Sequence, residues 1–381
     1  MARHYLDHAS TTPLRGEARA AMEAWEREGI AADPGRVHTE GRMARATLEG
    51  ARDQVAGLLG VGPRQVIFTS GGTEAINAAV WGATRADPGP LATAMVEHSA
   101  VRDASARSGP VVPIAVDMLG RIEVGAVEDA IGRCRSAHGR KPSLVHCQWG
   151  NHEVGTVQPV AEVVEHCRGE GVLIHVDAAA AAGRAPLDLG SLGADLVSVS
   201  AHKLGGPAGV GALIVRSGLR FEPLMVGGDQ ERARRAGMEN VAGAIGFGAA
   251  ASVLAAPGAV QAEGAVSRSQ TDRLRQSALA VPGVHALGDP VHRLPHIVCL
   301  IIDGVEAEPV LLGLDQSGVA VHSGSSCSSE TLEPSAVLEA MGVDAERSLR
   351  LSVGWSTTDA DVEAFEAVFA GVVGGLRALR T

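Results

Sequence analysis

The stretch Asp195-Leu-Val-Ser-Val-Ser-Ala-His-Lys-Leu-Gly-Gly-Pro-Ala-Gly-Val-Gly211 decides how the chain is read. A short apolar strand, Leu196 to Val199, ends in Ser200, Ala201 and His202 and delivers Lys203 into a glycine-rich turn. An ammonium is rarely buried without a partner, so lysine is a poor packing choice at the mouth of a buried strand. It is a good choice for a desolvated amine of lowered pKa that condenses with an aldehyde. Gly205, Gly206, Gly209 and Gly211 let backbone pass close to a bulky ligand. A surface lysine in a loop shows the same local pattern, and a short motif gains meaning only from its context.

Outward from this stretch, strands and helices alternate. Strands are expected at 92–96, 111–116, 143–148, 172–176, 195–199 and 211–215, with helices at 99–107, 125–137 and 160–169. The alternation implies an α/β fold with a mostly parallel sheet flanked by helices. Ligands of such sheets bind beyond the C-terminal strand ends. His98, Asn151-His152-Glu153 and Asp177 stand at those ends, where each alone fits a cap or turn. Upstream, a β-branched run from Gln65 enters Ser70-Gly71-Gly72-Thr73 and then a helix. Free N–H groups and the positive helix end suit a phosphate there; a Thr73 that merely caps the helix is the plainer alternative.

Helices at 14–28 and 39–59 precede this part, the second with Leu48, Ala51, Val55 and Leu58 on one face. Near Pro257 the pattern changes. A helix at 262–280 leads to strands at 297–302, 319–322 and 349–353 and helices at 306–316, 333–341 and 359–378. The expected division is a large α/β domain, 13–253, and a smaller α+β domain, 1–12 plus 254–381.

Composition narrows the function classes. With 381 residues and ordinary apolar content, the chain can bury a sizeable core. A formal net charge of −11 argues against direct nucleic-acid or membrane-surface binding, although Arg232, Arg234 and Arg235 form a local basic patch. Five scattered cysteines form neither a disulfide framework nor a zinc pattern, and no apolar signal segment opens the chain, so a cytoplasmic setting is expected. The uncharged run from Val241 toward Glu263 is Gly/Ala-rich and broken by Pro257, which favours a buried helix over a membrane span.

Asp177 and Lys203 close successive strands. A carboxylate that keeps a pyridine nitrogen protonated and a lysine that holds an aldehyde are the two groups pyridoxal 5'-phosphate chemistry needs. Gly72, Thr73 and Ser200 would hold the phosphate, and His98 is placed to stack on a ring or relay protons. With these residues in view, the sequence resembles the cysteine desulfurases of the class V aminotransferase group, fold type I. The resemblance rests on Tyr-Leu-Asp-His-Ala-Ser-Thr-Thr-Pro (5–13), Phe-Thr-Ser-Gly-Gly-Thr-Glu (68–74), Val-Glu-His-Ser-Ala-Val (96–101) and Glu-Val-Gly-Thr-Val-Gln-Pro (153–159). It continues through His-Val-Asp-Ala (175–178), Ser-Ala-His-Lys (200–203), Gly-Gly-Asp-Gln-Glu-Arg (227–232), Ser-Gly-Ser-Ser-Cys-Ser-Ser (323–329), Leu-Glu-Pro-Ser (332–335) and Arg-Leu-Ser (350–352).

The resemblance implies that Lys203 carries pyridoxal phosphate, Asp177 meets the pyridine nitrogen, His98 stacks on the ring, and Thr73, Ser200 and His202 bind phosphate. Arg350, with Asn151 nearby, would hold the substrate carboxylate; a structural ion pair is the alternative for Arg350. Cys327, among serines and glycines, would take sulfur from L-cysteine as a persulfide and pass it to a sulfur-acceptor protein, in iron–sulfur cluster assembly or tRNA thiolation. Cys134, Cys147, Cys167 and Cys299 sit on apolar patterns and read as core. The resemblance also implies a homodimer, with 227–232 and Arg235 at the interface. Three positions depart from the family: His152 replaces an Asn, Ala180 a Gln and Met238 a Thr. Each lost contact to a charged group costs about 1.5–3 kcal/mol, so weaker cofactor retention is expected. The alternatives are a selenocysteine lyase or another C–S lyase on the same scaffold, and a scaffold that has lost the cofactor.

Overall fold

The structure, a computed structural model, describes residues 3–30, 32–323 and 334–379. Its larger sheet has seven strands: β2 (Val66–Thr69), β3 (Leu91–Ala94), β4 (Val111–Ile114), β5 (Leu144–Gln148), β6 (Ile174–Asp177), β7 (Leu196–Ser200) and β8 (Gly211–Val215). Their order is β2-β8-β7-β6-β5-β3-β4, and only β8 runs antiparallel to its neighbours. β1 (His4–Tyr5) lies elsewhere, beside β11 (Val319–Ala320).

Side chains alternate across the sheet, and both faces are covered. One face carries Phe68, Ala92, Val145, Cys147, Val176, Val197 and Ile214. It packs on α2 (Thr39–Leu59), α5 (Val124–His138), α6 (Val160–Glu170) and α9 (Val241–Ala255). The other carries Ile67, Leu91, Leu144, Leu196 and Leu213 under α3 (Gly72–Ala86) and α4 (Ser99–Ser108). α1 (Gly16–Arg27) and α2 pack against α9, whose small residues allow a close approach. A Cβ at Gly248 would stand 2.9 Å from Ala51 Cα. α2 starts at His38, whose ring accepts from Gly41 N, and stops at Gly60 in a left-handed conformation.

The remaining elements are the short α7 (Leu189–Leu192), the single turn α8 (Gln230–Ala233), α10 (Ala259–Leu279), β9 (Val284–Leu287), β10 (Ile297–Ile302), α11 (Ala307–Gln316), β12 (His322–Ser323), α12 (Ala336–Ala340), β13 (Ser348–Ser352) and α13 (Asp359–Ala378). β12-β13-β10-β9 form a second, antiparallel sheet. Val298, Leu300 and Leu351 on it pack with Leu274 of α10, Val310 and Leu314 of α11 and Phe365 and Phe369 of α13. An isolated parallel bridge joins Asp7 to Ser352, so the N-terminal segment reaches the last strand.

Three local expectations are corrected. β9 was not anticipated, because Val-His-Ala-Leu is short and lacks a run of β-branched residues. The expected strand at 319–322 is two separate strands, β11 paired with β1 and β12 in the four-stranded sheet, and the helix expected at 333–341 covers only Ala336–Ala340 among the described residues. α10 begins at Ala259, just past Pro257, and meets α9 at 83°. Among the described residues no single helix is long and apolar enough to cross a membrane.

Candidate active site

At the C-terminal edge of the larger sheet the chemistry changes. On the face under α3 and α4, β5 runs Leu144, His146, Gln148; β6 presents His175 and Asp177; β7 presents Leu196, Ser198, Ser200. Apolar side chains give way to polar ones toward the strand ends. Beyond them lies a cavity of about 280 Å³, lined by Gly72, Thr73, His98, His152, Asp177, Ser200, His202, Lys203 and Arg350. Ala9, Ser10, Gln148, Ala179 and Ala180 complete much of the wall.

Lys203 follows a tight turn after β7. Its carbonyl is gripped by Arg184, which donates from Nε at 3.1 Å and Nη2 at 2.9 Å. Its Nζ donates to the Ala9 carbonyl. Arg184 is buried, and burial together with the neighbouring Arg15 charge pushes its guanidinium down to about 10. Gly205, at φ 95°, is required next to the turn: a Cβ there would stand 2.5 Å from Arg15 Cγ.

Asp177 is oriented from behind. Its Oδ1 accepts from Ala179 N at 3.0 Å and from Ser198 Oγ at 2.9 Å. Glu97 lies buried nearby, with Oε1 accepting from Gln148 N at 2.6 Å. Burial, and then the Asp177 charge, push the Glu97 carboxyl up to about 8, so it is largely a neutral acid at pH 7.

The start of α3 borders the cavity through Gly72 and Thr73. Among the described residues no side chain caps it, and Thr73 lines the cavity. Its first-turn N–H groups and the helix dipole face outward. Glu74 Oε2 accepts from Ser70 N at 2.8 Å and braces the turn. Gly211 lets β8 pass beneath: a Cβ there would stand 2.7 Å from both the Gly71 carbonyl carbon and Val199 O. Ser200 and His202 face the same space. His202 Nδ1 lies 3.1 Å from Thr11 Oγ1; burial, then Lys203, push the imidazole down to about 4, so it is neutral at pH 7.

His98 caps α4, its Nδ1 accepting from Ala100 N at 3.0 Å. Its ring meets the His152 ring edge-on, centroids 5.1 Å apart. Arg350 Nη2 donates to Asp7 Oδ1 at 2.9 Å and Ser10 Oγ at 2.8 Å, and Nη1 donates to His152 O at 3.0 Å. The ion pair weighed for Arg350 is therefore present, while the guanidinium still borders the cavity. Asn151, named with Arg350 for the substrate carboxylate, is not among the residues lining the cavity. It is 0 % exposed; its amide serves Val96 O and its oxygen accepts from Glu153 N and Val154 N. That side chain shapes the loop that presents His152.

Cys327 lies outside the described residues, but both flanks are placed. His322 pairs with Arg350 across β12 and β13. Ser335 caps α12 and donates its hydroxyl to Glu153, next to His152. Cys134, Cys147, Cys167 and Cys299 are buried free thiols. Ala180 lines the cavity and offers no donor, and Met238 is 63 % exposed. Residues 7–12 had no role assigned from sequence, yet Asp7, Ala9, Ser10 and Thr11 hold Arg350, Lys203 and His202. Their clue was the polar density of a segment expected to be extended. The polar residues spaced by two in the buried strands β5 and β6 were a second clue left unread.

The family model described as aminotransferase class-V matches residues 4–365. A cysteine desulfurase of Cereibacter sphaeroides is 39 % identical, covering 100 % of this chain and 98 % of the relative. An IscS-like cysteine desulfurase of Mycobacterium tuberculosis is also 39 % identical, covering 98 % of this chain and 97 % of its own length. Among solved structures, a NifS-like protein from Rickettsia africae superposes with a TM-score of 0.88 at 27 % identity, covering 98 % of this chain and 99 % of that one. Full-length likeness in sequence and in fold shows that the chain belongs to the class-V aminotransferase family, among its cysteine desulfurases.

Proposed function

We propose that this enzyme uses pyridoxal phosphate to convert L-cysteine and a protein thiol to L-alanine and a protein persulfide on Cys327. The balance is closed: sulfur leaves the substrate β-carbon, joins the thiol sulfur, and a proton takes its place on carbon. The observation that carries the reading is the convergence of Lys203, Asp177, the uncapped start of α3 and Arg350 on one cavity.

The residues fit the cofactor. Gly72 and Thr73 backbone N–H groups with Ser200 and His202 would hold its phosphate, Asp177 its ring N–H, and His98 its ring face. When bound, the cofactor supplies an aldehyde for the lysine and a ring that draws electrons from the substrate α-carbon. Lys203 Nζ, with its backbone fixed by Arg184, takes the α-proton and returns it. Arg350, braced by Asp7 and Ser10, binds the substrate carboxylate. Cys327 supplies the thiol; Ser323, the last described residue before it, follows His322, the register partner of Arg350.

The acceptor is a protein of iron–sulfur cluster assembly or tRNA thiolation, and the setting is cytoplasmic. The enzyme works as a homodimer. Val37, Met43, Val226 and Met238 are exposed apolar side chains, and ion pairs Arg45–Glu239 and Arg232–Glu49 link α2 to residues 232–239, the stretch a second copy would cover. The test is incubation with L-cysteine, with assays for alanine and for one added sulfur on the Cys327 peptide. Cys327→Ser should abolish sulfide release and keep the yellow cofactor; full turnover by that variant would remove Cys327 from the reaction. Pyruvate and ammonia in place of alanine would favour a C–S lyase, the reading that His152 and Ala180 support.

A further inference from the structure

Behind Asp177 runs a buried polar chain that the reaction itself does not use. His146 and His175 are register partners on β5 and β6, with Nδ1 atoms 3.0 Å apart. His146 Nε2 lies 3.3 Å from Ser105 Oγ on α4. His175 Nε2 lies 3.2 Å from Ser198 Oγ, which donates to Asp177 Oδ1 at 2.9 Å. Ser105, His146, His175 and Ser198 are all 0 % exposed. Two imidazoles and two hydroxyls in a sheet core are costly unless each is satisfied, and here each is.

The chemistry of the groups fixes the direction of every bond. Burial holds both rings neutral: His175 is pushed down to about 4 and His146 well below its ordinary value. Each ring therefore has one donor and one acceptor. A carboxylate only accepts, so the Ser198 hydrogen is committed to Asp177 and Ser198 Oγ must accept from His175 Nε2–H. His175 Nδ1 is then an acceptor and takes the His146 Nδ1–H. His146 Nε2 accepts in turn from the Ser105 hydroxyl. Four donors point one way, toward the carboxylate, and bonds aligned head to tail polarise one another.

We propose that Ser105, His146, His175 and Ser198 are positioning residues that hold Asp177 through this one-way hydrogen-bond chain. The chain saturates Oδ1 from behind and leaves Oδ2 as the oxygen for the cofactor ring. It also ties the strand bearing Asp177 to the helix that begins at His98, so the groups proposed for the ring's edge and its face are set by one network. The inference rests on the cofactor reading for its purpose but not for its geometry.

Nitrogen NMR of the cofactor-free protein, labelled at histidine, reads the tautomers directly. The expected result is His146 protonated at Nδ1 and His175 at Nε2; reversed tautomers, or a charged ring, would overturn the chain. His146→Leu removes the donor to His175, which frees the Ser198 hydroxyl to turn from Asp177. Pyridoxal phosphate titrated onto this variant should bind about three- to tenfold more weakly, the range of one hydrogen bond. In His146→Asn the amide nitrogen replaces Nδ1–H, and binding should return toward wild type. Unchanged binding in His146→Leu, or no rescue by asparagine, would reduce the network to packing. If the leucine variant does not fold, the wild-type tautomers decide. Should Asp177→Asn bind the cofactor normally, the ring assignment falls while the tautomers still report the chain.

Discussion

Replacing Glu97 with glutamine should flatten the dependence of stability on pH. Glu97 is 1 % exposed, takes one hydrogen bond on Oε1, and leaves Oε2 buried without a partner among the described residues. Its carboxyl is raised from 4.5 to about 8, first by burial and then by Asp177. Between those values the unfolded chain has lost the proton that the folded chain keeps. Stability from this group is therefore full below about 4.5, falls as pH rises and is gone above about 8. The slope reaches at most about 1.4 kcal/mol per pH unit, and the whole window is worth on the order of 5 kcal/mol. Glutamine keeps an acceptor for Gln148 N and cannot ionise, so it imitates the neutral acid. Glu97→Gln should match wild type in urea melts near pH 5 and exceed it by a few kcal/mol near pH 8. Asp177→Asn, which removes one cause of the shift, should end the wild-type slope at a lower pH. Parallel stability curves for wild type and Glu97→Gln would refute the assignment of a neutral carboxyl beside Asp177.

Gly211→Ala would drive a methyl into Gly71 and Val199 O, both 2.7 Å away, and push the turn before α3 out of line. Pyridoxal phosphate titration should show affinity lower by about ten- to a hundredfold. Arg52→Met strands Glu231, whose oxygens now take Arg52 at 2.6 and 2.8 Å and Phe68 N at 3.0 Å. Thermal or urea melts should show a loss of about 3–5 kcal/mol, partly recovered by adding Glu231→Gln. Ala180→Gln and Met238→Thr each return a missing donor, and cofactor retained through repeated gel filtration should rise in both. Tight retention by the wild-type protein would contradict the departures as causes of weak binding.

The larger sheet was legible because β-branched runs ending in polar residues are strong signals. The same ends named Lys203, Asp177, His98 and Ser200, all of which border the cavity. What stayed hidden depended on contacts distant in sequence. Nothing local separates Asn151, folded back on Val96, from its neighbour His152, which faces the cavity. Arg184 reads as one basic residue in a small-residue run, although it holds the Lys203 carbonyl. The direction of β8 follows from the tight return after Lys203, which brings the chain back beside β7 and not through a helical crossover.

Residues 7–12 carry a consequence for the order of assembly. Ala9, whose carbonyl receives the reactive amine, is itself pinned through its N–H to Ser352 Oγ at 2.8 Å, and Asp7 bridges to the same residue. A nascent chain extending through residue 215 already contains every strand of the larger sheet, yet this wall of the cavity waits for β13. The ribosome must therefore deliver some 350 residues before the lysine is fully enclosed. A chain halted before β13 therefore carries the amine without this wall of the cavity.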